Sequence, residues 1–242
     1  MQDWIDEIVR HFTLNFIDHN RWKFLLDGLV VTLRITFFAL LIGVVIGIVV
    51  AIVRSTYEKN YDVMRRGPGR VIFYFINGIC KIYLTVIRGT PVVVQLMIFY
   101  FVILTSIRNG EIVGIIAFSI NAGAYLAEVF RSGIMSIDNG QFEAGRSLGF
   151  NYIQTMRYII IPQAFKNILP TLANEFIVLL KETAVVGYVA VQDLTKAGNI
   201  IGGRTYSWFM PLLAVALIYL MLVMFFTWLV GKLERRLRVN ER

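Results

Sequence analysis

Inside stretches that are otherwise apolar, this chain places a few charged and amide side chains at helical spacing. Asn77, Lys81 and Arg88 form one stripe, and Asn121, Tyr125 and Glu128 a second. Asn174 with Lys181, and Glu175 with Glu182, are each seven residues apart on a third. Polar groups within a bilayer face the protein interior or an aqueous cavity. Arg88 is followed by Gly89, Thr90 and Pro91, a helix break that frees backbone groups. Arg88 and those freed groups can hold an α-carboxylate there, while Glu128 or Glu182 holds an ammonium group; Thr90 belongs to the same expected set. Asn77, Tyr125 and Lys181 complete the expected binding set. The alternative is that these charges pair with one another, Lys181 with a glutamate for instance, and only hold helices together.

This is binding chemistry. The two histidines, His11 and His19, precede the first apolar run, and no HExxH, CxxC or GxSxG occurs. Gly231-Lys232 is followed by Leu233 and has no glycine five residues before it, so no phosphate loop is present. The expectation is a non-catalytic chain with no cofactor of its own.

The elements that carry these residues are membrane spans. Of 242 residues, 57% are hydrophobic and 17% charged, against about 25% charged in soluble domains. Cys80 is the single cysteine, so no intrachain disulfide forms. Runs at about 25–53, 71–107, 112–134, 168–191 and 208–231 predict an all-α protein with about five spans. The run 71–107 is read as one long helix kinked at Pro91. Gly43 and Gly47 form a GxxxG pair that marks close helix packing, with the partner left open.

Residues 1–24 are expected to form an external amphipathic segment. Trp4, Ile5, Ile8, Val9, Phe12 and Phe16 recur at helical spacing, and the acidic start is unlike a signal peptide. It lies on the membrane surface or packs on a neighbouring subunit. Five spans put the termini on opposite sides. Cations gather in 54–70 (Arg65 among them), around 131–166 and from Lys232 to Arg242. The other face holds Arg10, Arg21, Lys23, Arg108, Lys196 and Arg204. The positive-inside rule places the N-terminus outside and the C-terminus, with its basic tail 237–242, in the cytoplasm. The net charge of +8 is then a matter of basic loops on one membrane face and implies no nucleic acid.

The longest segment between apolar runs, Asp138 to Pro162, reads as two short helices. Asp138 with Gln141, and Asn151 with Gln154, stand at capping-box spacing. Gly149 falls where the first helix should stop with positive φ. Pro162 is expected to end the second helix, since Ile161 before it is pushed from helical dihedrals. Small Ala144 and Gly145 let another backbone approach, as in a plug for a partner's cleft.

This layout resembles the cytoplasmic loop of ABC-importer permeases, at Glu143, Ala144, Gly149, Ile159 and Pro162. Gly145 stands for the family's second alanine and Ile161 for its leucine. Arg88-Gly89-Thr90-Pro91 with the following VVVQL, and the stretch AYLAEVFRSG from Ala124, resemble the polar amino-acid branch. The resemblance implies the type I importer permease fold over 25–236, in the bacterial cytoplasmic (inner) membrane. It implies a coupling loop at 135–165, with Glu143, Ala144, Gly145, Arg146, Ser147, Leu148 and Gly149 docking on an ATPase. It further implies two ATPase subunits holding ATP and Mg, a second permease subunit (identical or a sister), an external solute-binding protein and alternating access. Residues 192–206 are then a candidate surface for that binding protein. The glutamates favour a basic amino acid over glutamine as substrate. An ion-coupled secondary transporter or channel is the alternative, which would need neither ATPase nor docking loop.

Overall fold

The structure, a computed structural model, describes residues 2–61 and 66–239. Arg65 of the basic connection and Arg242 of the tail, with residues 1, 62–64 and 240–241, lie outside the described residues. Ten α-helices follow in order: α1 Gln2–Phe12, α2 Trp22–Asn60, α3 Pro68–Gly89, α4 Val92–Ile98, α5 Gly110–Met135, α6 Asn139–Ser147, α7 Tyr152–Thr155, α8 Ile161–Glu182, α9 Leu194–Thr205 and α10 Phe209–Val239. Wider π-turns occupy Thr13–Ile17, Phe99–Ile103 and Met156–Ile160, and tighter 3-10 turns occupy Asp18–Asn20 and Thr183–Val189. No strand occurs among the described residues.

Helices α2, α3, α5 and α10 are each long and apolar enough to cross a membrane. The expected fourth span is built as α8, which starts at Ile161 and carries Lys166, Glu175, Lys181 and Glu182. Those charges keep it out of the strongly apolar set. The run 71–107 is two helices rather than one kinked helix. Thr90 is fully extended (φ −122°, ψ 148°), so α3 stops at Gly89 and α4 begins after Pro91. The residue before a proline avoids helical dihedrals, and here it ends the helix outright.

Two compact units share these helices. The first comprises residues 1–38, 92–118 and 177–228. Its core joins Phe16 and Leu25 to Leu194, Ala197, Ile201 and Val215. A Cβ on Gly28 would lie 2.6 Å from the Asp193 carbonyl oxygen, so α2 meets the start of α9 backbone to backbone. The Leu194 N–H donates to Thr32 Oγ1 at 3.1 Å across this contact. The N-terminal segment is clipped to the α9–α10 connection by Asn15, which is wholly buried. Its amide donates to the His11 carbonyl (2.7 Å) and Ser207 Oγ (3.1 Å) and accepts from Thr205 Oγ1 (2.8 Å).

The second unit comprises residues 39–91, 119–176 and 229–242. Here the Gly43–Gly47 pair finds its partner in the same chain. A Cβ on Gly47 would sit 2.8 Å from Leu126 Cβ and 3.0 Å from the Ala127 nitrogen, and one on Gly43 3.1 Å from Ala122 Cβ. The approach packs Val50 and Leu84 against Ala124 and Ala127. The Tyr83 hydroxyl donates to the Ile120 carbonyl at 2.6 Å, tying α3 to α5.

Candidate functional site

The loop after α5 is built from local rules. Asp138 caps α6 by accepting from the Gly140 N–H at 2.7 Å. The expected box with Gln141 does not form, because the Gln141 side chain instead accepts from Gln163 Nε2 at 3.2 Å. At the other end Gly149 adopts φ +77°. Its N–H bonds the Arg146 carbonyl, and the Phe150 N–H bonds the Gly145 carbonyl, the pair of bonds that closes a Schellman turn. Asn151 and Gln154 then cap α7 reciprocally, both bonds at 2.9 Å.

Gly145 is buried, and a Cβ there would lie 2.7 Å from Thr155 Oγ1. Its small size therefore serves the packing of α6 on α7 rather than an outside partner. Phe142 is also buried, beneath Lys59, whose ammonium is 4.5 Å from the ring centre and donates to Asn139 Oδ1 at 2.7 Å. With that face anchored, Glu143, Ala144, Arg146, Ser147, Leu148 and Gly149 all point to the exterior. Leu148, an apolar side chain, is 71% exposed.

Pro162 does not end the second helix. The chain remains helical from Tyr152 to Glu182, and Ile161 is fully helical (φ −59°, ψ −43°). The widened turn at Met156–Ile160, in which the Ile161 N–H reaches back to Met156, accommodates the proline ring against the preceding turn.

Of the expected binding residues, Asn77, Arg88, Thr90, Tyr125 and Glu128 belong to the second unit, and Lys181 and Glu182 to the first. In the second unit a chain of charges links three helices. Asn77 is buried and accepts from Arg54 Nη1 at 3.0 Å. Arg54 Nη2 binds Glu58 Oε1 at 3.0 Å, and the other Glu58 oxygen binds Arg131 Nη1 at 3.1 Å. Arg131 also grips Glu128. Arg88 Nη1 stands 3.8 Å from Glu128 Oε2, with its guanidinium 5.7 Å from the Tyr125 ring centre. Thr90 Oγ1 donates to the Val86 carbonyl at 2.9 Å. Three arginines thus face two glutamates, and Arg88 is the most open of them.

Glu128 is therefore held by two cations, and Asn77 is already committed to Arg54. Lys181 is exposed and makes no ion pair among the described residues. Glu58 and Arg131 complete the network yet had no place in the expected binding set. Their separation of 73 residues along the chain hides the pairing, and only their charge in or beside an apolar run could have flagged them. Glu175, named with Glu182 in the third stripe, was likewise left out of the expected binding set. It is half-buried on α8 and makes no hydrogen bond or ion pair among the described residues.

Comparison with known proteins agrees with this architecture. Residues 67–239 match the family described as binding-protein-dependent transport system inner membrane component. The chain is 38% identical over 220 residues to the putative glutamine transport system permease protein GlnP of Rickettsia typhi, covering 90% of this chain and 94% of the relative. It is 37% identical over 223 residues to the arginine transport system permease protein ArtQ of Bacillus subtilis, with the same coverage. A crystal structure of an amino acid ABC transporter with histidines superposes with a TM-score of 0.79 at 38% identity, over 91% of this chain and 98% of that one. The MetNI methionine ABC transporter, at 21% identity and a TM-score of 0.71, shares the fold. The chain belongs to the binding-protein-dependent transport system inner membrane components, the permease subunits of ABC importers.

Proposed function

We propose that this chain is the membrane path of an ATP-driven importer of polar amino acids, working by alternating access in a bacterial inner membrane. The observation that carries the reading is the loop 138–150. One face is fixed by Phe142 and Gly145, and the other presents Glu143, Ala144, Arg146, Ser147 and Leu148. An ion-coupled transporter has no use for such a plug. Two ATPase subunits, holding ATP and Mg, dock there. A second permease subunit and an external solute-binding protein complete the assembly. The N-terminus is outside and the loop cytoplasmic, as the distribution of cations favours.

The substrate reading rests on the charge chain. With three arginines to two glutamates, the cluster carries an excess positive charge beside Tyr125 and Thr90. Arg88 takes the α-carboxylate. Glu128, already matched by Arg131, orients Arg88 rather than binding an amino group. Glu175, half-buried on α8, is a carboxylate left to meet an ammonium. Relatives named for glutamine and for arginine transport support a polar substrate of this class.

The test is co-purification with an ATPase, then uptake of labelled arginine, histidine and glutamine into vesicles with candidate binding proteins. ATP-dependent uptake of at least one is expected. Arg88→Gln should raise the substrate concentration for half-maximal uptake about tenfold, the loss of a charged hydrogen bond. Uptake driven by an ion gradient without ATP would refute the reading.

A further inference from the structure

The N-terminal helix α1 divides its surface sharply. Trp4, Ile5, Ile8, Val9 and Phe12 fall on one arc, and Asp6, Glu7, Arg10 and His11 on the other. Helical spacing places Trp4 and Ile8 next to Glu7 and His11, so one border between the arcs sets apolar beside polar side chains. The Asn15 clip to Thr205 and Ser207 holds this border against the start of α10. Between them lies a cavity of about 300 Å³. Trp4, Ile8, Phe209 and Met210 form its apolar wall, and Glu7, His11 and Ser207 its polar one.

The polar wall has hydrogen-bonding capacity to spare. His11 Nε2 and Glu7 Oε1 are 3.9 Å apart, too far for a hydrogen bond. Neither side chain has a nearer polar partner among the described residues. Ser207 Oγ accepts from Asn15 Nδ2 at 3.1 Å, and its own hydrogen has no acceptor among the described residues. The cavity thus presents a carboxylate beside two donors, an imidazole N–H and a hydroxyl.

The membrane depth of this cavity is fixed from two sides. Helix α10 is long and apolar enough to cross a bilayer and starts at Phe209, so its first turn stands at the hydrocarbon edge. Trp4, Tyr206 and Trp208 are exposed around it, and these residue types gather at headgroup level. An amphipathic helix at that level turns its apolar arc to the acyl chains and its polar arc to water. The border between the arcs then coincides with the layer of lipid phosphates and ammonium groups.

We propose that this cavity binds a phospholipid whose headgroup carries a primary ammonium, as in phosphatidylethanolamine. Glu7 accepts from the ammonium, His11 and Ser207 donate to phosphate oxygens, and the start of an acyl chain covers Trp4, Ile8, Phe209 and Met210. A soluble zwitterion would meet the three polar groups but leave the apolar wall bare. Such a site would serve an importer and a secondary transporter alike.

For the test, the full chain is purified in detergent with the subunits that accompany it. It is exchanged into micelles doped with phosphatidylethanolamine, phosphatidylcholine or phosphatidylglycerol of identical acyl chains, and native mass spectrometry counts the lipid retained. The ethanolamine lipid should be held about tenfold more tightly than the choline lipid, whose quaternary ammonium has no hydrogen to donate. Glu7→Gln should abolish that preference, and Asp6→Asn, at the far end of the polar arc, should leave it intact. His11→Phe, which keeps a ring but loses the N–H, should weaken both lipids alike, since both carry the phosphate. Equal retention of the two lipids by the wild type, a comparison that needs no variant, overturns the assignment. So does an unchanged preference in Glu7→Gln. Preference for the glycerol lipid also overturns it and marks a plain anion site. Release of the bound lipid by millimolar glutamine or arginine overturns it as well, giving the cavity to a free amino acid.

Discussion

Single positions here are constrained by backbone shape as much as by charge. Gly149 sits at φ +77° with open space where a Cβ would project, so the constraint is dihedral and not steric contact. Gly149→Val should cost about 1 kcal/mol or more locally and loosen the Schellman turn, while asparagine tolerates the conformation. ATP-driven uptake is expected to fall sharply for valine and to persist for asparagine, at equal amounts of protein in the membrane. Asp193 offers a different test. Burial raises its pKa above the ordinary carboxylate value, against the opposing pull of the Lys196 and Thr195 N–H groups. The folded chain then binds a proton that the unfolded chain has released. Stability from this group should rise as pH falls through the raised value and level off below the ordinary one. Asp193→Asn, which keeps an oxygen for only one of the two N–H groups and does not titrate, should flatten the melting-temperature profile of the purified protein at pH above the ordinary carboxylate value. An unchanged slope would mean that other groups set it.

Elements formed largely where local signals were strong. The positive φ at Gly149 and the reciprocal cap of Asn151 and Gln154 follow from residue types a few positions apart, and so were legible in the sequence. The apolar runs behind α2, α5 and α10 were legible for the same reason. Proline was the harder letter. Pro91 ended α3 completely where a kink was expected, while Pro162 ended nothing because a widened turn absorbed it. Which outcome a proline brings depends on how neighbouring carbonyls are re-satisfied, and that is a tertiary matter. The charge chain was half legible. Arg88, Tyr125 and Glu128 announced themselves by spacing on apolar helices, but Glu58 and Arg131 depend on how α2 and α5 meet. That meeting is set by Gly43 and Gly47. Gly47→Ala, forced against Leu126 and Ala127, should destabilise by about 1–3 kcal/mol, and Gly43→Ala, with a longer nearest contact, by less. Thermal unfolding in detergent would rank them, and equal melting temperatures for all three proteins would contradict the backbone contact.

At the scale of the whole molecule, orientation in the membrane is the property that every proposed partner depends on. Accessibility labelling of single cysteines in a Cys80→Ala background should find positions 146 and 234 reactive only from the cytoplasm, and positions 108 and 199 only from outside. Labelling of 108 from the cytoplasmic side would remove both the docking loop and the binding-protein surface at a stroke. The close approaches along α2 have a genetic consequence too. Gly28 and Gly47 each face another backbone within 3.0 Å of where a Cβ would stand, and Gly43 faces Ala122 at 3.1 Å. Every amino acid reached from a glycine codon by one base change adds at least that carbon. The coding sequence therefore has no mild step away from glycine at these positions. In a population of randomly mutated copies under selection for uptake, the missense variants at 28 and 47 should be lost early and as a class, whatever the chemistry of the new side chain, while position 43 tolerates alanine alone.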